Sequence, residues 1–364
     1  MSALSNCSTT VWAVNATTIA GSPTGSSGFS SALLTLPVGI LVDQNDTIYV
    51  MDHGTTFYRM QVFRPGRQFA TIIFNAIFGT TLNQLSSAVA LNMDVSGNIY
   101  ILDQGNNRVT KWAPGASTGI LVAGGSGQGS SIKKLNTAWD IFVEPNTSYI
   151  WIADSNNNRI VKWVNTSTAI LAAGEGTSGS NANQLNFPTG VFVDTSDSNT
   201  LYVADFSNHR IQKWLYGASN GTTVSGQSNV SGSALNQLNK PFALIMDTNK
   251  SLYIVDSGNN RIVLWLLGAT SGILIAGTGV VGALPSQLYN PWSVRLDSTG
   301  ALIVNDCYNN RIQRFPVICS PNTASSSATS VLTNSTSIAS TLQNTTILFY
   351  FLFYFALFNA QWAF

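Results

Sequence analysis

The sequence predicts an all-β fold, a six-bladed β-propeller of four-stranded antiparallel blades. A segment of the form Leu-Tyr-Val-x-Asp, a short polar loop and Arg-Ile-x-Lys-Trp recurs six times, at intervals of 50 or 51 residues. Each copy holds four short apolar runs rich in β-branched and aromatic residues, separated by turn residues, which is typical of strands. Because a propeller blade is one four-stranded sheet, six copies predict six blades. The repeated aspartates are Asp52, Asp103, Asp154, Asp205, Asp256 and Asp306.

The fourth copy shows the expected strands most clearly, at 190–194, 201–204, 210–214 and 222–225. The Asp, Asn and Arg of its polar turn could bind a hard cation, but residues that recur in every blade are better explained by what each blade needs. We expect the Asp to accept turn N–H groups, the Asn to adopt a positive φ and the Arg to pair locally. The aromatic residue that closes each third strand should belong to the core. These aromatic residues are Phe63, Trp112, Trp163, Trp214, Trp265 and Phe315.

The outer-strand pattern predicts how the ring closes. It also occurs six times, but its first copy, at 17–20, precedes the first inner strand, and the last copy of the repeat ends at Phe315 without one. We therefore expect the N-terminal strand to complete the sheet formed by residues 292–315. Such closure removes the exposed sheet edge that an open ring would leave.

Residues 186–194 (NFPTGVFVD) and 201–214 (LYVADFSNHRIQKW) resemble the NHL repeat, and the resemblance extends over roughly residues 15–316. The resemblance implies a six-bladed propeller. Amidating lyases with this repeat hold a catalytic metal on several histidines, whereas this chain has only His53 and His209. RNA-binding relatives need a basic face, and a net charge of +1 does not supply one. We therefore expect neither a histidine-rich metal site nor a nucleic-acid partner, and no cofactor.

The candidate binding site lies where the copies differ, because scaffold positions are shared and binding positions need not be. In a propeller, the loops between second and third strands and the loops entering the inner strands share one face. If exposed, the aromatic side chains on this face form a patch suited to a protein, peptide or glycan; alternatively, they only fill the mouth of the central channel. The candidates are Phe57, Tyr58, Trp139, Asp140, Phe206, His209, Phe242, Trp292 and Tyr308.

Composition and sequons favour an exported glycoprotein. Charged residues make up only 9% of the chain, against about 25% in ordinary domains. Ten N-x-[ST] sequons are present, and such a density fits glycosylation outside the cytosol. Residues 1–20 do not resemble a secretory signal peptide. The glycosylation candidates within the repeats are Asn15, Asn45, Asn146, Asn165, Asn220, Asn229 and Asn249.

The C-terminal region predicts attachment to a membrane. We expect a lead at 1–14, the propeller at 15–318, a Ser/Thr-rich stalk at 319–346 and a hydrophobic tail at 347–364. The tail follows a polar spacer and carries no charge, as a glycolipid-anchor signal requires, although a short anchoring helix is the alternative. The candidate attachment sites are Asn334, Ser335, Ser337 and Ser340.

The three cysteines leave two possibilities open. Cys7 and Cys319 flank the repeats, so a disulfide between them would pin the chain ends together in an oxidising compartment. All three could equally be unpaired thiols. Taken together, the sequence predicts a monomeric, non-enzymatic binding module at the cell surface. The alternative is a metal-dependent hydrolase or lyase with acidic groups around the channel, for which only Asn92 and Asp140 offer support.

Overall fold

A computed structural model describes residues 10–53, 57–67 and 69–319. The described chain begins with β1 (Thr10–Trp12) and β2 (Thr17–Gly21) and then forms blade 1 from β3 (Gly39–Val42), β4 (Ile48–His53), β5 (Phe57–Phe63) and β6 (Thr71–Ile77). Blade 2 comprises β7 (Ala88–Met93), β8 (Ile99–Asp103), β9 (Arg108–Trp112) and β10 (Ile120–Gly124). Blade 3 comprises β11 (Asp140–Val143), β12 (Ile150–Asp154), β13 (Arg159–Asn165) and β14 (Thr168–Ala173).

Blade 4 comprises β15 (Pro188–Asp194), β16 (Thr200–Asp205), β17 (Arg210–Trp214) and β18 (Thr222–Gly226). Blade 5 comprises β19 (Pro241–Met246), β20 (Leu252–Asp256), β21 (Arg261–Trp265) and β22 (Ile273–Ala276). Blade 6 contains β23 (Ser293–Leu296), β24 (Leu302–Asp306) and β25 (Arg311–Phe315), and β26 (Val317–Cys319) follows it. The predicted all-β propeller of six four-stranded blades is confirmed.

The N-terminal strand closes the ring as expected. β2 pairs antiparallel with β25, so that Thr17 lies opposite Arg314 and Gly21 lies opposite Arg311. A second closure, which the sequence did not reveal, pairs β1 with β26. Trp12 supports it by donating its indole N–H to the carbonyl of Gly300 at 3.0 Å.

In blades 2 to 6 the repeated Asp, Asn and Arg form one buried network, and in blade 1, whose turn contains no Asn, Asp52 pairs with Arg59. In blade 4, Asp205 accepts hydrogen bonds from Arg210 Nε (2.8 Å), Asn208 Nδ2 (2.8 Å) and the backbone N–H of Asn186 (2.7 Å). Asn186 belongs to the loop entering the inner strand, so the Asp ties that loop to its blade rather than capping its own turn. The Arg210 guanidinium also donates to three carbonyls of the same loop.

Apolar clusters join blades 1 to 5 in turn and join blade 6 to blade 1. The aromatic residues that close the third strands are buried, as expected for core residues. Trp214 of blade 4, for example, packs in a cluster with Trp151 and Ala153 of blade 3. At the closing seam, Ile303 and Ile312 of blade 6 pack with Ile40 and Val50 of blade 1. The core of the propeller is therefore the set of contacts between blades.

The alternation of strands gives the ring two different faces. Turns between first and second strands, and between third and fourth strands, lie on one face, here called the hairpin face. Turns between second and third strands share the other face with the loops that enter the inner strands; this is the loop face.

Several expectations fall on residues beyond the described part. Cys7, the side chain of Cys319, the anchor-attachment candidates and the hydrophobic tail all lie outside it, whereas Cys307 is a free, buried thiol. Among the residues described, no helix is long and apolar enough to cross a membrane.

Candidate binding site at the channel mouth

Asparagine side chains on the loop face connect blades 3, 5 and 6 to the blades that follow them. The short 3-10 turn after the second strand ends at a residue with positive φ, for example Asn158 at φ 50°. Its Oδ1 accepts the backbone N–H of Phe187 in the next blade at 3.0 Å, and Asn260 and Asn310 make equivalent bonds to the blades that follow them. These bonds tie the loop-face turns of the three blades to their neighbours.

His209 takes the place of this asparagine in blade 4. Its φ is 56°, and its Nδ1 accepts the backbone N–H of Lys240 at 3.1 Å. Burial, and then the positive charge of Lys240, lower the pKa of His209, which favours the neutral ring that such an acceptor requires. The structure thus gives this predicted site residue a role in joining two blades.

Three rings meet at the centre of the loop face. Trp139, Phe242 and Trp292 occupy equivalent positions in blades 3, 5 and 6. Phe242 stacks on Trp292 with ring centroids 5.2 Å apart and an interplanar angle of 10°, and Trp139 meets both edge-on at 5.4 and 5.6 Å. Phe242 and Trp292 are only 8% and 7% exposed, whereas Trp139 is half-buried. The inner rings fill the channel mouth, and Trp139 keeps an accessible surface.

Further rings extend this cluster outward on both sides. Phe206 lies 6.0 Å from Phe242 and also contacts Phe187, while Tyr308 lies 6.2 Å from Trp292 and contacts Tyr289 at 5.1 Å. Phe206 is buried, but Phe187, Tyr289 and Tyr308 are half-buried. The set of seven rings, here called the mouth cluster, thus has a buried centre and an accessible rim. Its members are Trp139, Phe187, Phe206, Phe242, Tyr289, Trp292 and Tyr308.

Two of the predicted site residues belong to a second group of rings on blade 1. Tyr58 is only 2% exposed and packs between His53 and Phe78, at centroid distances of 5.0 and 5.4 Å. Phe57 lies 6.1 Å from Phe29, whose side chain is 48% exposed. Sequence reasoning missed Phe29 and Phe78, which lie in the loops entering the inner strands of blades 1 and 2, because it compared only one position of each such loop.

Two charged side chains face the channel just inside the mouth. Asp140 stands where the other blades have Gly, Ala or Ser, and its Oδ2 accepts the N–H of Val191 from the inner strand of blade 4 at 3.0 Å. Arg295 of blade 6, three blades away, donates to the Val294 carbonyl at 2.8 Å. Both side chains line a cavity of about 20 Å³, which has room for about one water molecule. This part of the channel is too small for an organic ligand.

Burial gives Asp140 an unusual titration. It raises the pKa of the Asp140 carboxyl from 3.8 to about 6, although the Val191 N–H and the positive charge of Arg295 oppose the shift. Because the folded protein holds this proton more tightly than the unfolded chain, the free energy of unfolding should fall as pH rises from about 4 to about 6.

We expect the ¹³C signal of the Asp140 carboxyl to titrate near pH 6, and the Arg295→Met variant to titrate higher because it lacks the opposing positive charge. NMR titration of protein with labelled aspartate measures both values, and an Asp140→Asn sample assigns the signal. Titration near pH 4 in the wild type, or an unchanged value in Arg295→Met, would contradict the assignment.

The described acidic and histidine side chains do not form a metal-binding cluster. Within residues 10–53, 57–67 and 69–319, no three His, Cys, Asp or Glu side chains lie close enough together to hold a metal ion. Glu144 is paired with Lys162, Oε1 to Nζ, at 2.9 Å. Asn92, in the inner strand of blade 2, directs its Oδ1 to the Met93 N–H at 2.9 Å. Each of these groups therefore has a local structural partner.

Comparisons with known proteins agree with this architecture. Residues 185–214 and 288–315, in blades 4 and 6, match the model of the NHL repeat. A search of curated protein sequences found no match.

Solved structures share the fold at low sequence identity. A Bacteroides thetaiotaomicron protein of unknown function is 17% identical, with 84% of this chain and 76% of that chain covered and a TM-score of 0.62. An auxiliary nutrient-binding protein from Bacteroides ovatus is 13% identical, with 85% and 78% covered and a TM-score of 0.60. A gluconolactonase from Xanthomonas campestris is 13% identical, with 86% and 98% covered and a TM-score of 0.57. At these identities the likeness concerns the fold alone, and together with the six sheets it identifies the chain as a β-propeller protein in which residues 185–214 and 288–315 match the NHL repeat.

Proposed function

We propose that this protein is an extracellular binding module that holds a protein, peptide or glycan ligand on its loop face. The observation that carries the proposal is the mouth cluster, in which accessible rings stand on a rigid base of buried ones. Trp and Tyr side chains supply large contact areas with few rotors, and such rings dominate binding energies at interfaces. Because Trp139 is fixed by edge-on contacts to Phe242 and Trp292, little side-chain entropy remains to be lost on binding.

The fold alone does not choose between binding and catalysis. Structures of this fold include proteins described as auxiliary nutrient-binding proteins and one described as a gluconolactonase. A metal-dependent hydrolase or lyase would need several carboxylates or histidines around the channel. At the described channel mouth, Asp140 faces Arg295 across a cavity for about one water molecule. These residues favour the binding function over the hydrolytic alternative.

The rim of the mouth cluster offers the sharpest test. Trp139→Ala and Tyr308→Ala should each weaken ligand binding at least tenfold, because each removes accessible aromatic area from the proposed interface. Phe242 and Trp292 are poorer targets, since their burial makes loss of folding the expected effect of truncation. Binding of the purified chain to arrays of immobilised glycans and of cell-surface ectodomains provides the measurement.

Leu267→Ala is the matched control, because Leu267 is 70% exposed and lies in a turn of the hairpin face. It should leave binding unchanged, and thermal unfolding verifies that all three variants remain folded. Failure of the wild type to bind either array, or binding that both loop-face substitutions leave intact, would refute the proposal.

A further inference from the structure

The sequon asparagines are distributed unequally between the two faces. All seven in the described residues are exposed. Asn45, Asn146 and Asn249 lie in the turns between first and second strands of blades 1, 3 and 5, and Asn165 and Asn220 lie at the turns between third and fourth strands of blades 3 and 4. These five turns all belong to the hairpin face.

The two remaining sequons are placed by strand pairing. Asn15 precedes Thr17, which lies opposite Arg314 near the end of β25, so Asn15 is also on the hairpin face. Asn229 follows the outer strand of blade 4 and donates its backbone N–H to the carbonyl of Asn208, so it lies on the loop face. Six of the seven sequons therefore share one face, and that face is opposite the mouth cluster.

The asparagines of this chain also differ in what their amide nitrogens do. In the repeated turns that contain an Asn before the Arg, the Asn side-chain nitrogen already donates hydrogen bonds. Asn208 Nδ2, for example, donates to Asp205 at 2.8 Å and to the Gly179 carbonyl at 2.7 Å. Among the described residues, no sequon Nδ2 donates a hydrogen bond. In the sequon of Asn165, the Ser167 hydroxyl donates to Asn165 Oδ1 at 2.8 Å, which leaves Nδ2 free. The sequon amides are thus the ones available for modification.

We infer that the hairpin face is the glycosylated face of this propeller. In each transfer, the side-chain nitrogen forms a bond to the anomeric carbon of a lipid-pyrophosphate-linked oligosaccharide. The bond from that carbon to the pyrophosphate oxygen breaks, the lipid pyrophosphate leaves, and the amide nitrogen loses one proton. The inference rests on the export that the proposed function assumes. The acceptors are Asn15, Asn45, Asn146, Asn165, Asn220 and Asn249.

This placement determines which surface stays open. β1 and β26 bring both ends of the described chain to the hairpin face, where Trp12 bonds to Gly300 in a turn of blade 6. Glycans on this face would shield it from macromolecular partners, in a chain whose surface carries few charges. The loop face, with its mouth cluster, remains the accessible surface.

Glycopeptide mapping tests the inference without any ligand. The full chain is directed into the secretory pathway of a eukaryotic cell and treated with an amidase that converts each glycosylated Asn to Asp. Mass spectrometry should then find conversion at the six hairpin-face asparagines, and Ser167→Ala should abolish it at Asn165 alone. A chain with no conversion, or with conversion at Asn229 and not on the hairpin face, would overturn the inference.

A second arm links the glycans to binding. Gln128→Asn creates the sequon Asn-Gly-Ser at 128–130 on the loop face, beside Asn136, to which Gln128 Nε2 donates at 2.6 Å in the wild type. Its glycan should reduce array binding at least tenfold, whereas Ser167→Ala should leave binding unchanged. If mapping finds the hairpin-face glycans but the loop-face glycan has no effect on binding, glycosylation of the hairpin face is supported and ligand binding on the loop face is refuted. If mapping fails, the inference fails irrespective of binding.

Discussion

Replacing Asp205 with alanine should lower the free energy of unfolding by about 3–5 kcal/mol. The substitution leaves the Arg210 guanidinium, which is only 2% exposed, without its anionic partner. It also removes the acceptor for Asn208 Nδ2 and for the backbone N–H of Asn186. An unpaired charge buried beside unsatisfied donors is among the costliest single defects in a folded protein.

Urea denaturation at neutral pH measures this effect. Glu175→Ala serves as the control, because Glu175 is an exposed loop carboxylate whose hydrogen bonds from Thr177, Asn183 and Gln184 all lie at the surface, and we expect little change in the unfolding midpoint. A stable Asp205→Ala protein would mean that the repeated Asp is not structural, and the interpretation of the repeated polar turns would then have to include binding or catalysis.

The structural roles of the positions that the six blades share were predictable, because the same residue types recur in each copy of the repeat. The spacing of Asp205 and Arg210 and the aromatic at Trp214 each recur, and each performs the same task in its blade. The N-terminal closure followed from the phase of the outer-strand pattern alone. In a repeat fold, the copies can thus be compared with one another, and the residues they share identify the structural positions.

Properties that depend on contacts between different blades were not predictable. Whether Trp292 is exposed depends on Phe242 and Trp139, which reach it from two other blades across the channel. Similarly, His209 looked like a candidate site residue because it differs from the asparagine of other blades, yet its Nδ1 makes the bond to Lys240 that keeps the blades joined. A difference between copies therefore identifies a candidate site residue, but the role of that residue depends on its contacts with the neighbouring blade.

The pairing of β1 with β26 illustrates another limit. Both are strands of three residues outside the repeat, and segments this short carry too little periodicity to be recognised. Gly21, by contrast, marks the N-terminal strand as a genuine outer strand. The outer strands of blades 2 to 5 are each followed or ended by a glycine at positive φ against the carbonyl of the turn residue, as Gly174 is against Asn158.

Gly21→Ala should destabilise the ring by about 3 kcal/mol, more than the usual cost of a side chain at positive φ. Gly21 has φ +80°, and a Cβ there would lie 2.2 Å from the Asn310 carbonyl oxygen and 2.9 Å from the Arg311 Cα. Because these neighbours are backbone atoms of β25 and the turn before it, the clash can be relieved only by moving β2 away from β25.

Gly217→Ala isolates the conformational part of this cost. Gly217 has φ +77° but nothing within 4 Å of an added Cβ, so we expect a loss of about 1–2 kcal/mol there. Thermal unfolding gives both values, and hydrogen exchange gives the location: the amides of β25 should exchange faster in Gly21→Ala and at the wild-type rate in Gly217→Ala. Equal destabilisation by the two substitutions would show that the contact between β2 and β25 does not limit the stability of the closed ring, and the N-terminal strand would then be an accessory to a propeller held together by its inter-blade cores.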